Sequence, residues 1–260
     1  MKTFFLMLGF FTRLPVPRTE FTETRMRKAM KLMPLGGLVI GAILVLIQLL
    51  LALAGAPDMI RGAILTGAYI FLSGGLHFDG LADTCDGVFS GRSREQALDI
   101  MKDSRIGVFG TLGLFMAGLL YFAAFTVTPV AGLLVFPLCG RACCLISASL
   151  APYAREEGMG KATSLEGGAV SVLSAAISIV GGSFLTLPLM LLILWLGLPG
   201  TGPLGFHLIV CSLIAAVAAV LATALMTAGL KRKLGGVTGD TFGAVIEASS
   251  LVFLLVFILI

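Results

Sequence analysis

Long, uninterrupted apolar runs constrain the fold of this chain more than any other feature of its sequence. Several of them exceed the ~18 apolar residues that indicate a membrane-spanning helix. They are continuous rather than alternating in polarity, which argues against a transmembrane β-barrel. Only 12% of the 260 residues are charged, against about 25% in a soluble domain. The sequence therefore predicts an all-α, polytopic helical integral membrane protein with one domain, residues 1–260.

The number and orientation of the spans follow from the run lengths and from the basic residues between them. We predict about seven transmembrane helices. Lys and Arg concentrate in alternate connections, so the positive-inside rule places the N-terminus in the cytoplasm. Pro188 interrupts one long run, but two helices there would move Lys231 outside, so one helix is preferred. The predicted spans are roughly 33–54, 59–77, 108–127, 130–151, 169–197, 204–229 and 242–260.

Two polar segments outside these spans are long enough to carry a function. Residues 1–31 form an N-terminal interfacial segment, in which Phe4 to Phe11 lies on the membrane surface and Arg13 meets the headgroups. Residues 78–107 form an acidic segment on the cytoplasmic side. Nearly all acidic residues fall on that side, which is therefore where we expect the active site.

The stretch HFDGLADTCDGVFSG contains three aspartates at helical spacing. Asp79, Asp83 and Asp86 are four and three residues apart, so they share one face of a helix. Like charges at this spacing repel one another unless a cation neutralises them, and carboxylate oxygens favour Mg²⁺, Mn²⁺ or Ca²⁺. These aspartates are the predicted metal ligands; the alternative is that they are merely solvated beside the membrane. For His77, just before them, a functional and a structural role are equally favoured.

The stretch ALDIMKDSRIGVFG adds a second acidic face with flanking cations. Asp99 and Asp103 are four residues apart, and Lys102 and Arg105 flank Asp103. This arrangement suits a metal-bound diphosphate, because the metal neutralises phosphate oxygens and the cations take the remaining charge. Lys102 and Arg105 are therefore candidate substrate-binding residues.

Further charged residues lie in the second half of the chain. Arg141 and Glu247 fall inside predicted spans, where a charge is costly and indicates function by default. Arg141 either pairs with Glu247 or holds a substrate phosphate. Asp240 shares a helical face with Glu247, and the neighbouring GGVTGD segment has backbone N–H groups that could wrap a phosphate. Arg155 and Lys161 offer positive charge to an anionic ligand, or belong to an ordinary basic loop.

Five motifs in order along the chain resemble the cobalamin synthase family, the adenosylcobinamide-GDP ribazoletransferases. They are FFTRLPVP, GGLHFDGLADTCDGVFSG, MKDSRIGVFG, PYAR and GGVTGDTFGAVIE. The resemblance implies a multi-pass enzyme of the bacterial inner membrane with its active site on the cytoplasmic side. It implies a Mg²⁺-dependent reaction that joins adenosylcobinamide-GDP to α-ribazole or α-ribazole 5′-phosphate and releases GMP. Membrane lipid is the other expected partner, and nucleic acid is not expected.

The resemblance also implies roles for individual residues. The acidic motif of the family maps onto His77, Asp79, Asp83 and Asp86, and the following motif maps onto Asp103. Asp79, Asp83 and Asp86 would hold the metal. The attacking ribose hydroxyl needs a proton acceptor, and Asp103, Asp86 and His77 are the candidates. The last motif maps onto Asp240 and Glu247.

Two other functions fit parts of the pattern. The CDP-alcohol phosphotransferases have an Asp-x-x-Asp-Gly pattern followed by Asp-x-x-x-Asp, which Asp83, Asp86, Asp99 and Asp103 reproduce. Their expected Ala-Arg is replaced here by Ser-Gly, which counts against membership. A cation or proton transporter would use carboxylates near the middle of the bilayer, often in repeated halves. The acids of this chain cluster at one face without a visible repeat, so an enzyme is favoured.

Overall fold

The computed structural model describes residues 1–156, 168–198 and 206–260, and these residues fold into helices without a β-strand. The prediction of an all-α protein is therefore confirmed for the described part of the chain. Its helices are α1 (Lys2–Phe11), α2 (Glu23–Lys31), α3 (Met33–Leu53), α4 (Asp58–Leu72), α5 (Leu76–Phe89), α6 (Arg94–Ile100), α7 (Val108–Val127), α8 (Val130–Leu150), α9 (Ala169–Trp195), α10 (Phe206–Leu234) and α11 (Gly239–Leu259).

Six of these helices are long and apolar enough to cross a membrane, namely α3 and α7 to α11. A seventh span exists if α4 and α5 are counted together, although the two helices meet at an angle of 89°. The predicted number of about seven agrees with this range. We take α4 as the membrane part of this pair. We place α5 outside the spans because its three aspartates are costly to expose to lipid.

The second and the last predicted spans have ends that differ from the structure, whereas the interrupted fifth span is a single helix as predicted. The second span ends at Leu72 rather than near residue 77, because Gly74 and Gly75 adopt positive φ angles of 68° and 72° and break the helix. The fifth is one helix of 27 residues with Pro188 inside it, as preferred from the charge pattern. The last begins at Gly239, which places Asp240 in its first turn.

Helix α8 lies at the centre of the bundle and is packed by α3, α9, α10 and α11. Its contact with α3 is close because two glycines, one turn apart, face it. A Cβ atom on Gly37 would lie 2.3 Å from the Pro137 carbonyl oxygen, and one on Gly41 would lie 2.3 Å from that of Leu134. This small-residue spacing is typical of helices that pack tightly within a membrane.

The outward faces of the spanning helices are apolar, as contact with lipid requires. Large apolar side chains are exposed along α7, α9 and α10, where a soluble protein would carry polar groups. Examples are Phe115, Leu119, Leu173, Leu191, Val217 and Leu225.

The N-terminal segment covers one end of the bundle rather than only resting on the membrane. Helix α2 was not predicted; Thr22 caps its first turn by accepting a hydrogen bond from the backbone N–H of Arg25 (3.2 Å). Its side chains Met26 and Met30 are buried, at the i, i+4 spacing of one helical face. Together with α1 they form a second apolar cluster with residues of α8 and α11.

Candidate active site

The site is built where α5 crosses α11, and two glycines set how closely the helices approach. A Cβ atom on Gly80 would lie 2.5 Å from the carbonyl oxygen of Asp240. A Cβ atom on Gly243 would lie 2.8 Å from that of His77. Any side chain at either position would separate the helices. This crossing brings the aspartates of α5 beside Asp240, although more than 150 residues separate them in the chain.

Asp83 lies at the centre of this group of carboxylates. The pKa of Asp83 is raised to about 7. Partial burial is the largest cause, and the negative charges of Asp79, Asp240 and Asp86 add to it. The positive charge of Arg155 offsets only part of this rise. Mutual repulsion of this kind identifies a place where added positive charge is stabilising. This group of carboxylates, which includes Asp240, is therefore a candidate place for a cation.

Arg155 is held in place by a short pairing between two loops. The backbone N–H of Ala154 donates to the Val237 carbonyl (2.8 Å), and that of Val237 donates to the Pro152 carbonyl (2.9 Å). Arg155 then forms an ion pair with Asp240, with Nη2 2.9 Å from Oδ2. The structure therefore joins two predicted substrate-binding residues in one place. Lys161, the third candidate of this region, lies outside the described residues.

Asp86 is engaged differently from Asp79 and Asp83. Its Oδ2 atom accepts a hydrogen bond from the backbone N–H of Gly107 (2.7 Å), and its Oδ1 atom accepts one from that of Gly110 (2.8 Å). Both oxygens therefore anchor the N-terminus of α7, where a negative charge is favourable. Asp86, which the sequence placed among the metal ligands and proton acceptors, is thus also a cap of α7 in the structure.

Asp103 and its neighbours lie beside this centre rather than within it. Asp103 is bound by Arg105, with Nη2 2.7 Å from Oδ2, and these hydrogen bonds hold the pKa of Asp103 well below its usual range. Asp103 shares an open pocket with Asp86, and Lys102 shares another with Arg155. Asp103 is not among the charges that act most strongly on Asp83. The second acidic group therefore adjoins the first through the pocket that Asp103 shares with Asp86.

The carboxylate oxygens suit a hard cation such as Mg²⁺, whose remaining ligands would be oxygen atoms of the substrate. Within the described ranges, no three His, Cys, Asp or Glu side chains form a ready metal cluster. Mg²⁺ in phosphoryl-transfer sites is usually bound by only one or two carboxylates together with phosphate oxygens and water. Asp79 and Asp83, with Asp240 nearby, meet that requirement, so the residues present fit such an ion.

Beneath α5 lies a fully buried polar network centred on Glu247. Tyr121 donates a hydrogen bond to its Oε2 atom (2.6 Å), and the Tyr69 hydroxyl lies 3.2 Å from both carboxylate oxygens. His77 Nδ1 lies 3.6 Å from Oε1. The sequence predicted that Glu247 binds substrate. In the structure its carboxylate is fully buried and contacts His77 instead. The two tyrosines were missed, although a hydroxyl inside an apolar run was a signal for them.

Arg141 is also fully buried, in the middle of α8. Its Nη1 atom donates to the Pro137 carbonyl one turn earlier (3.0 Å), while Nε and Nη2 have no hydrogen-bond partner. It forms neither the direct pair with Glu247 nor an open phosphate contact. It is close enough to affect Tyr69 and His77 electrostatically, so it compensates the buried negative charge at a distance.

Two pockets flank Asp79. One is apolar, has a volume of about 140 Å³, and lies between the α1–α2 cover and the α5–α11 crossing. The other is polar and lies at the break between α4 and α5, where Arg13 and Ser73 join Asp79 in its wall. The backbone N–H of Arg13 donates to the Leu72 carbonyl (3.0 Å). Arg13, which was predicted to meet lipid headgroups, has an exposed side chain that shares this pocket with Asp79.

The GGVTGD segment forms the N-terminal cap of α11. The Thr238 side chain accepts from the backbone N–H of Thr241 (3.2 Å), and the Thr241 hydroxyl accepts from that of Thr238 (2.7 Å). The N–H of Val237 is used in the loop pairing described above. These donors are therefore not available to a phosphate.

The sequence matches known proteins over nearly its whole length. The family model described as Cobalamin-5-phosphate synthase matches residues 3–258. A protein of Fusobacterium nucleatum named adenosylcobinamide-GDP ribazoletransferase is 35% identical over 100% of this chain and 98% of its own length. Proteins with that name from Alkaliphilus oremlandii and Acetivibrio thermocellus are each 38% identical, over 98% and 100% of this chain and 96% and 98% of their own. No solved structure matches the chain.

Proposed function

The chain belongs to the cobalamin-5-phosphate synthase family, and we propose that it joins adenosylcobinamide-GDP to α-ribazole or α-ribazole 5′-phosphate, releases GMP and depends on Mg²⁺. The full-length relatives support the transferase activity. The single structural observation that carries the metal-dependent part is the convergence of Asp79, Asp83, Asp240 and Arg155 at the crossing of α5 and α11.

The proposed reaction is an in-line transfer at one phosphorus atom. A ribose hydroxyl of the acceptor attacks the phosphorus that bears the cobinamide, the bond to the GMP oxygen breaks, and the hydroxyl proton passes to the enzyme. Asp79, Asp83 and Asp240 would hold the cation. When bound, Mg²⁺ neutralises phosphate oxygens and the leaving nucleotide. Arg155 and Arg13, on either side of the carboxylates, attract the diphosphate into this position.

His77 is the proton acceptor that the contacts favour among the three candidates. Both carboxylate oxygens of Asp86 accept hydrogen bonds from backbone N–H groups at the start of α7, and Asp103 forms an ion pair with Arg105. His77 Nδ1 lies 3.6 Å from Glu247, whereas Nε2 has no hydrogen-bond partner within the described part of the chain, and the ring lies in the wall of the apolar pocket beside Asp79. The Glu247 carboxylate behind it stabilises the imidazolium that forms when the proton arrives.

We place the protein in the bacterial inner membrane with the active site on the cytoplasmic side. The basic connections support this orientation through the positive-inside rule, and the named relatives are bacterial. The transporter alternative has less support, because Glu247 is held by the two tyrosines and the other carboxylates lie in α5 or in the first turn of α11 rather than along a spanning helix. The CDP-alcohol alternative has less support because Asp99 and Asp103 lie outside the carboxylate centre.

The test is a reconstitution with two donors. Purified protein in lipid nanodiscs, given adenosylcobinamide-GDP, α-ribazole and Mg²⁺, is expected to release GMP and form a cobalamin together. A chelator should abolish both products. The same protein given a CDP-lipid and an alcohol is expected to release no CMP. Release of CMP without GMP would overturn the substrate assignment, and turnover in the presence of the chelator would overturn the metal dependence.

A further inference from the structure

The apolar pocket beside Asp79 has two chemically different ends. Its deep part is formed by Phe11 of α1, Met26 and Met30 of α2, and Met33 of α3, which are each at least nine-tenths buried. Methionine adapts its shape to a ligand and its sulfur makes favourable contacts with aromatic rings. The pocket is therefore suited to a flat, apolar group.

The other end of the pocket opens on the acidic centre. Asp79 and Asp240 lie in its wall, and both belong to the carboxylate group that surrounds Asp83. His77, the proposed proton acceptor, lies in the same wall. A ligand with an apolar ring in the deep part and a hydroxylated sugar attached to it would therefore present its hydroxyls to these three residues.

We propose that this pocket binds the benzimidazole base of the acceptor nucleoside and so positions its ribose for attack. The inference rests on the proposed function and adds to it the place where the acceptor binds. The base carries two methyl groups and has few hydrogen-bonding atoms, which matches a pocket whose deep wall is apolar. The adenosylcobinamide ring is much larger than a cavity of about 140 Å³. Guanine has hydrogen-bonding groups along one edge. The methionine side chains could not pair with these groups, so guanine would bind this pocket more weakly.

The decisive experiment fills the pocket and measures each substrate separately. Met30→Trp places a large ring in the deep part, whereas Met116→Trp, on the exposed face of α7 outside the pocket, serves as the matched control. We expect Met30→Trp to raise the KM for α-ribazole by about tenfold or more, equivalent to roughly 1.4 kcal/mol of binding. The KM for adenosylcobinamide-GDP should stay nearly constant, and Met116→Trp should change neither constant appreciably.

A second measurement keeps the inference testable if Met30→Trp is unstable. Free 5,6-dimethylbenzimidazole is expected to inhibit the wild-type enzyme in competition with α-ribazole and not with the GDP donor. Met26→Phe, a milder filling of the same pocket, should weaken that inhibition without lowering the thermal unfolding midpoint. Inhibition that competes with the donor, or a higher KM for the donor alone, would overturn the inference. A wild-type protein that forms no GMP would instead contradict the proposed function.

Discussion

The carboxylate of Glu247 lies 3.6 Å from the Nδ1 atom of His77, and both side chains are almost completely buried. The first residue belongs to the last helix and the second to the turn that opens α5. Their contact fixes the register of the two helices at the point where Gly80 and Gly243 let them approach. The buried network therefore holds α5 against α11 and so positions the aspartates of the acidic centre.

The first prediction concerns Glu247. Replacing it with Ala leaves the hydroxyls of Tyr69 and Tyr121 without an acceptor, and each unpaired buried group costs about 1–3 kcal/mol. We expect Glu247→Ala to lower the thermal unfolding midpoint in detergent clearly, and Tyr121→Phe to lower it less, because it removes one hydrogen bond and leaves no donor orphaned. Because His77 loses its support, kcat should fall while the KM for the donor changes little. An unchanged midpoint in Glu247→Ala would contradict the network.

The second prediction concerns Asp83. We expect Asp83→Asn to lower kcat by about 100-fold or more, equivalent to roughly 2.7 kcal/mol of barrier. The unfolding midpoint should not fall, since one of several repelling charges has been removed. Asp99→Asn is the matched control, because Asp99 is exposed on α6 and paired with Lys102. It should retain nearly full activity, whereas a CDP-alcohol phosphotransferase would lose activity through either change.

The third prediction is a pH dependence of metal activation. With a pKa of about 7, Asp83 carries a proton below that pH, and a cation must displace this proton before it binds. Above pH 7 the carboxylate is already charged. The Mg²⁺ concentration that gives half-maximal activity should therefore be higher at pH 6 than at pH 8, by about tenfold. Calorimetry at pH 7 in two buffers of different ionisation enthalpy should detect proton release on Mg²⁺ binding. Equal half-maximal concentrations at both pH values would exclude this coupling.

The fourth prediction concerns the close helix crossing. Gly80→Ala would place a methyl group 2.5 Å from the Asp240 carbonyl oxygen, so the helices must separate. We expect a loss of activity of about 100-fold together with a lower unfolding midpoint, because the separation moves Asp240 away from Asp79. Gly118→Ala is the matched control, since a Cβ atom there has open space around it. Activity of Gly80→Ala equal to that of Gly118→Ala would show that the crossing does not position the carboxylates.

The membrane architecture could be predicted from the sequence because run length and hydropathy report directly on spanning helices. The break between α4 and α5 could not, since the apolar residues Leu76 and Phe78 continue past it and only the φ angles of Gly74 and Gly75 reveal it. Spacing correctly placed Asp79 and Asp83 in one group. Asp86 also acts electrostatically on Asp83, but its hydrogen bonds to α7 could not be predicted, because a carboxylate that caps a helix has the same local pattern as one that binds a metal.

The missing parts of the site all depend on contacts between distant segments. Nothing in the local sequence indicates that Asp240 lies beside Asp79, or that Arg155 reaches Asp240 through a loop pairing near Val237. Arg141 and Glu247 were predicted to be functional because charged residues are rare within membrane spans. In the structure both side chains are fully buried, next to the acidic centre rather than in its pockets. Patterns of a few residues predict local geometry, whereas the site is assembled by helix packing.

The last prediction concerns the side of the membrane on which the acidic centre lies. The basic residues of alternate connections favour a cytoplasmic location for residues 78–107. Ser93 is exposed at the N-cap of α6, so Ser93→Cys offers a labelling site that does not touch the carboxylate centre. In a background without exposed native thiols, a membrane-impermeant maleimide should label Cys at this position only after the cells are opened. Thr201→Cys, in the connection between α9 and α10 that the same rule places outside, should be labelled in intact cells. The reverse pattern would invert the orientation and put the active site outside the cytoplasm.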